Sequence, residues 1–176
     1  MQNLKMQLKQ KLENAGKVAV LGVGSELRGD DAAGIMAAER IEKFSKPKTT
    51  SPELKVFIGH TAPENLTGEI KKFRPTHLII IDAADLDGQP GEIVLIEPEN
   101  VGGTSFCTHS LPTKVMTDYL LQSFNFQIII IGIQPKTLAV GALPSKEVAG
   151  AAKLLSETIV KILNCGRRVP YKNCIW

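Results

Sequence analysis

Short apolar runs alternating with amphipathic segments predict a three-layer α/β/α sandwich, built on a mostly parallel five-stranded sheet with one antiparallel edge strand. Three observations carry that expectation. The runs VAVL, LIIID and IIIIGI are apolar throughout rather than alternating, as strands buried on both faces read. The segments between most of them place apolar residues at three- and four-residue spacing, so a helix is available to cover each crossover. One connection is too short for a crossover, and that fixes the direction of a single strand.

Taken in order, Leu4, Leu8 and Leu12 recur at helical spacing with Gly16 as a stop, predicting an N-terminal helix over 1–15. The first strand is VAVLGV from Val18. From Asp31 to Phe44, Ile35, Ala38 and Ile41 share a face and make the next helix, followed by the strand LKVFIG from Leu54. Pro63 suits a first helical turn, and Leu66, Ile70 and Phe73 line one face, so a helix is expected over 63–73. THLIIID from Thr76 is the third strand. Only the short, turn-rich AADLDGQPG separates it from EIVLIE, less than a parallel partner requires, so EIVLIE is placed antiparallel at the sheet edge. A helix from Pro112 to Leu121, a strand QIIIIGI from Gln127 and a final helix from Ser145 to Leu163 complete the pattern. The layout is a single domain over 1–176, with the N-terminal helix at 1–15, a core over 18–163 and a basic tail over 165–176. That tail, CGRRVPYKNCIW, has no period; it either docks through Ile175 and Trp176 or stays loose.

Composition narrows the function. The chain has 176 residues, enough for one well-buried core and few for two, with 43% hydrophobic and 22% charged residues. Lys and Arg exceed Asp and Glu by 21 to 18, too little to argue for nucleic acid. No apolar run approaches the roughly 20 residues of a membrane helix, and MQNLKMQLKQKLENAG lacks the apolar centre of a secretory signal, so a cytoplasmic protein without membrane insertion is expected. Cys107, Cys165 and Cys174 are an odd count without a CxxC pair, which signals neither a disulfide framework nor a zinc knuckle.

The residues with chemistry fall at strand ends. Asp31 lies in GVGSELRGDDAAG after the first strand, Asp82 closes LIIID, and His109 sits in FCTHSLP just before an expected helix. In an open α/β sheet such positions converge outside the carboxyl ends of the strands. Two carboxylates and an imidazole suit a divalent transition metal with open coordination positions. The Gly-rich loop lacks the GxGxxG register and the Lys-Ser/Thr pair of a phosphate cradle; with Glu26, Asp30 and Asp31 where an anion would sit, it favours a cation. Asp30 or Asp31 can also serve as a helix cap, and Asp82 and His109 each have an ordinary loop reading when taken alone. No GxSxG elbow is present, adjacent His109 and Ser110 do not by themselves make a base and nucleophile, and Cys107 is a spectator thiol or a candidate thiolate. His60 and His77 have no acidic partner at a suggestive spacing.

From Val18 to about Ile162 the sequence resembles the nickel-iron hydrogenase maturation endopeptidases, closest to the branch that processes the hydrogenase 3 large subunit. The matching segments are GVGSELRGDDAAG, APEN from Ala62, FRPTHLIIIDAADLDGQPGEI from Phe73, THSLP from Thr108 and GIQP from Gly132, in the family's order. Ser25 replaces the usual asparagine after the first glycines, and Ala32 the usual glycine after the paired aspartates; neither change removes a ligand. The resemblance implies a metal-assisted endopeptidase of aspartic type with Asp31, Asp82 and His109 as catalytic and metal-contacting residues. It also implies that nickel arrives with the substrate, a [NiFe] hydrogenase large-subunit precursor whose C-terminal extension is removed after nickel insertion. Gly24, Gly29 and Gly34 would shape the loop, and the enzyme would act as a monomer. The alternatives are a non-enzymatic check-point module that binds the nickel-loaded precursor, and a small-molecule hydrolase, which would need a closed pocket of about 300 Å³ or more.

Overall fold

The computed structural model describes residues 2–45, 52–97, 119 and 126–164. Its sheet is made of β1 (Lys17–Val23), β2 (Glu53–His60), β3 (His77–Ala83), β4 (Ile93–Ile96) and β5 (Gln127–Ile133), in the order β2-β1-β3-β5-β4. β2, β1, β3 and β5 run parallel. β4 is the antiparallel edge strand, with Ile93 opposite Ile133 and Ile96 opposite Ile130. Residues 84–92, which join β3 to β4, contain no crossover helix, as the short connection requires.

Strand alternation sends the apolar side chains to two separate cores. Val18, Val20, Ile79, Ile81, Ile129 and Ile131 pack with the helices α1 (Gln2–Lys11), α2 (Ala33–Phe44) and α4 (Lys146–Asn164). Ala19, Leu21, Leu78, Ile80, Ile128 and Ile130 pack on the other face, with Ile70 of α3 (Thr67–Phe73). This is the three-layer sandwich expected. The start of α2 lies close against the sheet. A Cβ on Gly34 would lie 2.1 Å from the Ile81 carbonyl oxygen and 2.4 Å from that of Val23, so only glycine lets this turn rest on the backbones of β1 and β3.

Three helix starts or ends differ from the sequence reading. α1 stops at Lys11, although Leu12 and Ala15 remain buried. The chain then turns into β1 at Gly16, whose N–H donates to Thr76 Oγ1 at 2.9 Å. The helices expected from Asp31 and from Pro63 each open with a 3-10 turn, Gly29–Ala32 and Pro63–Leu66, before α2 and α3 proper. These tighter turns let the chain leave a strand end and rise onto a helix axis within a few residues. Of the helix expected from Pro112 to Leu121 only Tyr119 is described; it is helical, and its hydroxyl takes a bond from Lys71 Nζ of α3. The tail over 165–176 lies outside the described residues. Among those described, no helix is long and apolar enough to cross a membrane.

Candidate active site

The strand order reverses between β1 and β3. The chain passes from β1 through α2 to β2 on one side, while beyond β3 it continues to β4 and β5 on the other. Loops therefore diverge at the carboxyl ends of β1 and β3 and leave a crevice, the usual ligand position in such a sheet. Asp31 stands in the 3-10 turn above β1, and that turn packs against β3. Asp82 is the penultimate residue of β3, one step beyond the Gly22–Ile81 pair that joins the two strands. The two carboxylates expected at the site thus lie at the same end of neighbouring strands. Each residue is only 1% exposed. His109, with Cys107 and Ser110, lies outside the described residues. Among the described residues no group of three His, Cys, Asp or Glu is placed to hold a metal.

Local backbone geometry explains Asp31. Its N–H donates to Arg28 O at 3.1 Å, and its carbonyl accepts from Ser25 N–H at 3.2 Å, closing the loop into a compact turn. Gly24 has φ +136°, and a Cβ there would strike the Asp31 carbonyl oxygen at 1.8 Å, so the loop needs glycine at that point. Asp82 Oδ1 accepts the Ala83 N–H at 2.8 Å. Carboxylates this far from water cost several kcal/mol unless donors or a cation compensate them, on the order of the effective penalty for buried ions. Two carboxylates at a strand-end crevice could supply oxygen ligands to a divalent cation.

Asp30 has a different task, and sequence alone did not separate it from Asp31. Neither 3-10 turn nor α2 has a side-chain cap, so the capping role considered for this pair is not used. Asp30 is fully buried. Its Oδ2 accepts from the N–H groups of Lys136 and Thr137 at 2.8 and 3.0 Å, and its Oδ1 from Ser145 N–H at 2.5 Å. Further bonds zip the same two loops together: Asp30 N–H to Thr137 O at 3.0 Å, and Gly141 N–H to Leu27 O at 2.8 Å.

Gln134 is a functional-loop residue that the sequence reading did not single out. Its buried side chain accepts from Leu86 N–H at 2.6 Å and Gly88 N–H at 3.3 Å, and donates to Asp85 Oδ1 at 3.3 Å. The segment after β5 therefore grips the loop after β3 through Gln134 and is gripped by the loop after β1 through Asp30. The loop that bears Asp31 and the loop that follows Asp82 are both braced against one element. The signal in the sequence is slight: a polar residue ending an apolar run and followed by proline. At the outer edge of the brace, Lys136 Nζ lies 2.7 Å from Glu147 Oε1. That hydrogen bond raises the Lys136 pKa and lowers that of Glu147, with their Coulombic attraction adding to both shifts.

The two described histidines lie at opposite ends of the parallel strands, and the His60 carbonyl accepts from Gly24 N–H of the Asp31 loop at 3.0 Å. His77 is buried at the opposite end of β3 from Asp82, with Nδ1 2.9 Å from Thr76 Oγ1, and exposed His60 ends β2 with φ +45°. A cleft of about 800 Å³ runs between α1 and β4, lined by Leu4, Gln7, Lys11, Ile93, Leu95 and Glu97 among others; neither Asp31 nor Asp82 borders it.

The chain is similar to known proteins in sequence and fold. Residues 35–162 match the family described as hydrogenase maturation protease. The hydrogenase 3 maturation protease of Escherichia coli K12 is 36% identical over 117 residues, covering 66% of this chain and 71% of the relative. The crystal structure of the [NiFe] hydrogenase maturation protease HycI from Thermococcus kodakarensis superposes with a TM-score of 0.81 at 28% identity, covering 90% of this chain and 99% of that one. The solution structure of the endopeptidase HycI from Escherichia coli gives a TM-score of 0.68 at 29% identity, with coverages of 80% and 87%.

Proposed function

The chain belongs to the hydrogenase maturation protease family, and from that premise we propose that it is a nickel-dependent endopeptidase that removes the C-terminal extension of a [NiFe] hydrogenase large-subunit precursor after nickel insertion. The observation that carries this reading is the pair Asp31 and Asp82, both buried, one in the turn that follows β1 and the other near the end of the adjoining parallel strand β3, where the sheet order reverses. Nickel is part of the substrate here, held by the cysteine thiolates of the precursor. A bound divalent metal lowers the pKa of coordinated water toward neutrality and polarises a carbonyl, which would make the mechanism metal-assisted. Asp31 and Asp82 would supply carboxylate oxygens to the substrate's metal, and His109 an imidazole nitrogen, leaving positions for the thiolates. The braced turn holds Asp31, and strand β3 holds Asp82, before substrate arrives, so less ordering remains to be done on binding. We place this activity in the cytoplasm, carried out by a monomer.

The test is to incubate the purified protein with nickel-loaded precursor and with metal-free precursor, and to weigh the products by mass spectrometry. Shortening of the nickel-loaded form alone is expected. Asp82→Asn, which keeps size but loses charge, should fold normally and leave the precursor intact. Normal cleavage by folded Asp82→Asn would remove that residue from the mechanism. Tight precursor binding by wild type without any shortening would favour the check-point module instead.

A further inference from the structure

The loop that Asp30 holds has a composition that burial does not explain. Residues 138–144 read LAVGALP, without one charged or hydrogen-bonding side chain. Val140 is 81% exposed and Leu143 is 86% exposed; Leu27, on the facing loop, is 75% exposed. The two loops are joined by Gly141 N–H to Leu27 O at 2.8 Å and Gly29 N–H to Ala142 O at 3.2 Å, so their side chains belong to one surface. Single exposed apolar residues need no explanation. Three large ones on cross-linked loops form a patch of the kind that contacts another molecule. The patch is also held firmly, because the three N–H bonds to Asp30 fix the loop from beneath.

We propose that Leu27, Val140 and Leu143 form a docking ledge for an apolar, uncharged stretch of the precursor polypeptide beside its cleavage site. This rests on the proteolytic reading above. The ledge is continuous with the candidate crevice: Leu27 and Asp31 share one loop, and Asp30, which fixes the ledge, is next in sequence to Asp31. A peptide bond presented to the carboxylates requires the chain on one side of it to leave over the crevice rim, and this rim is apolar. Residues 137–145 themselves offer no charge to pair with a charged segment, which would lose hydration over them without compensation; the charges that border the ledge, Glu26 and Arg28 beside Leu27 and Lys136 and Lys146 at the loop ends, are of both signs and favour neither kind of charged partner. A second copy of this chain fits less well, since three side chains fall well short of the roughly 800 Å² per partner of a stable dimer.

The experiment compares wild type with Val140→Ser/Leu143→Ser on nickel-loaded large-subunit precursor, and follows both free proteins by sedimentation. Both side chains already stand in water, so the thermal midpoint should not move. KM should rise roughly tenfold or more while kcat stays within about twofold, because apolar contact made equally in ground and transition states is lost. An unchanged KM in the double variant, with wild type cleaving normally, would overturn the ledge and leave the protease reading standing. Failure of wild type to cleave any precursor would overturn both. A wild-type dimer that the double variant dissociates would assign the surface to a second copy and overturn the ledge.

Discussion

Asp30→Asn tests the brace most directly. The wild-type carboxylate accepts three backbone N–H groups from residues 136, 137 and 145. An asparagine can keep its carbonyl oxygen on Lys136 and Thr137, but its amide nitrogen then faces Ser145 N–H, donor against donor. Hydrogen bonds to a charged acceptor contribute about 1.5–3 kcal/mol and neutral ones about 1 kcal/mol. Two bonds weaken and the third is lost, a gross loss of about 3–5 kcal/mol on those figures. The amide is easier to bury than a carboxylate, which returns about 1 kcal/mol and leaves a net cost of about 2–4 kcal/mol. With a urea slope of about 2 kcal/mol/M, the unfolding midpoint should fall by about 1–2 M. Hydrogen exchange at Lys136, Thr137 and Ser145 should accelerate in Asp30→Asn and stay unchanged in Asp31→Asn, because none of those N–H groups reaches Asp30 through its neighbour. A midpoint within about 0.3 M of wild type, with all three amides still protected, would refute the brace.

Other perturbations probe separate parts of the molecule. Gly34→Ala would drive a methyl into two backbone carbonyls that cannot yield, at 2.1 and 2.4 Å, and should cost on the order of 3 kcal/mol or more by chemical denaturation. Gly150→Ala, where an added Cβ meets nothing within 4 Å in the second turn of α4, should instead stabilise by about 0.5–1 kcal/mol. Isothermal calorimetry should find weak binding of divalent nickel to the free protein, abolished in His109→Ala; tight binding indifferent to that change would dissolve the proposed trio. Glu147→Gln should lower stability slightly at neutral pH, since the lowered Glu147 pKa contributes stability above the ordinary value of 4.5 and loses it as pH falls through the folded value. The wild-type advantage in thermal midpoint should therefore shrink in acid. On the alkaline side, the raised Lys136 pKa contributes below its ordinary 10.5 and fades as pH rises past the folded value.

The elements legible from sequence were those whose signal is local. LIIID and IIIIGI could only be strands buried on both faces, and they became β3 and β5. The brevity of residues 84–92 alone forced β4 to run antiparallel. Asp31 and Asp82 were recognisable as strand-end carboxylates, and the order of several motifs pointed to the family before any fold was seen. Helix starts were less legible, because the 3-10 turns at Gly29–Ala32 and Pro63–Leu66 place their residues much as an α-helix does over so short a span.

The division of labour between Asp30 and Asp31 belongs to the tertiary structure. The N–H groups that claim Asp30 come from residues 136, 137 and 145, more than a hundred positions away. Side-chain chemistry is identical at the two positions, so only the direction imposed by the 3-10 turn decides which carboxylate braces a loop. Gln134 and the apolar rim at Leu27, Val140 and Leu143 are of the same kind. Period and composition determine what a segment becomes; which distant segment it meets, and whether an apolar loop is covered or displayed, depends on how the layers close. The sequence by itself therefore specified the sheet, its edge and the candidate carboxylates, while closure of the fold decided what holds those carboxylates in place.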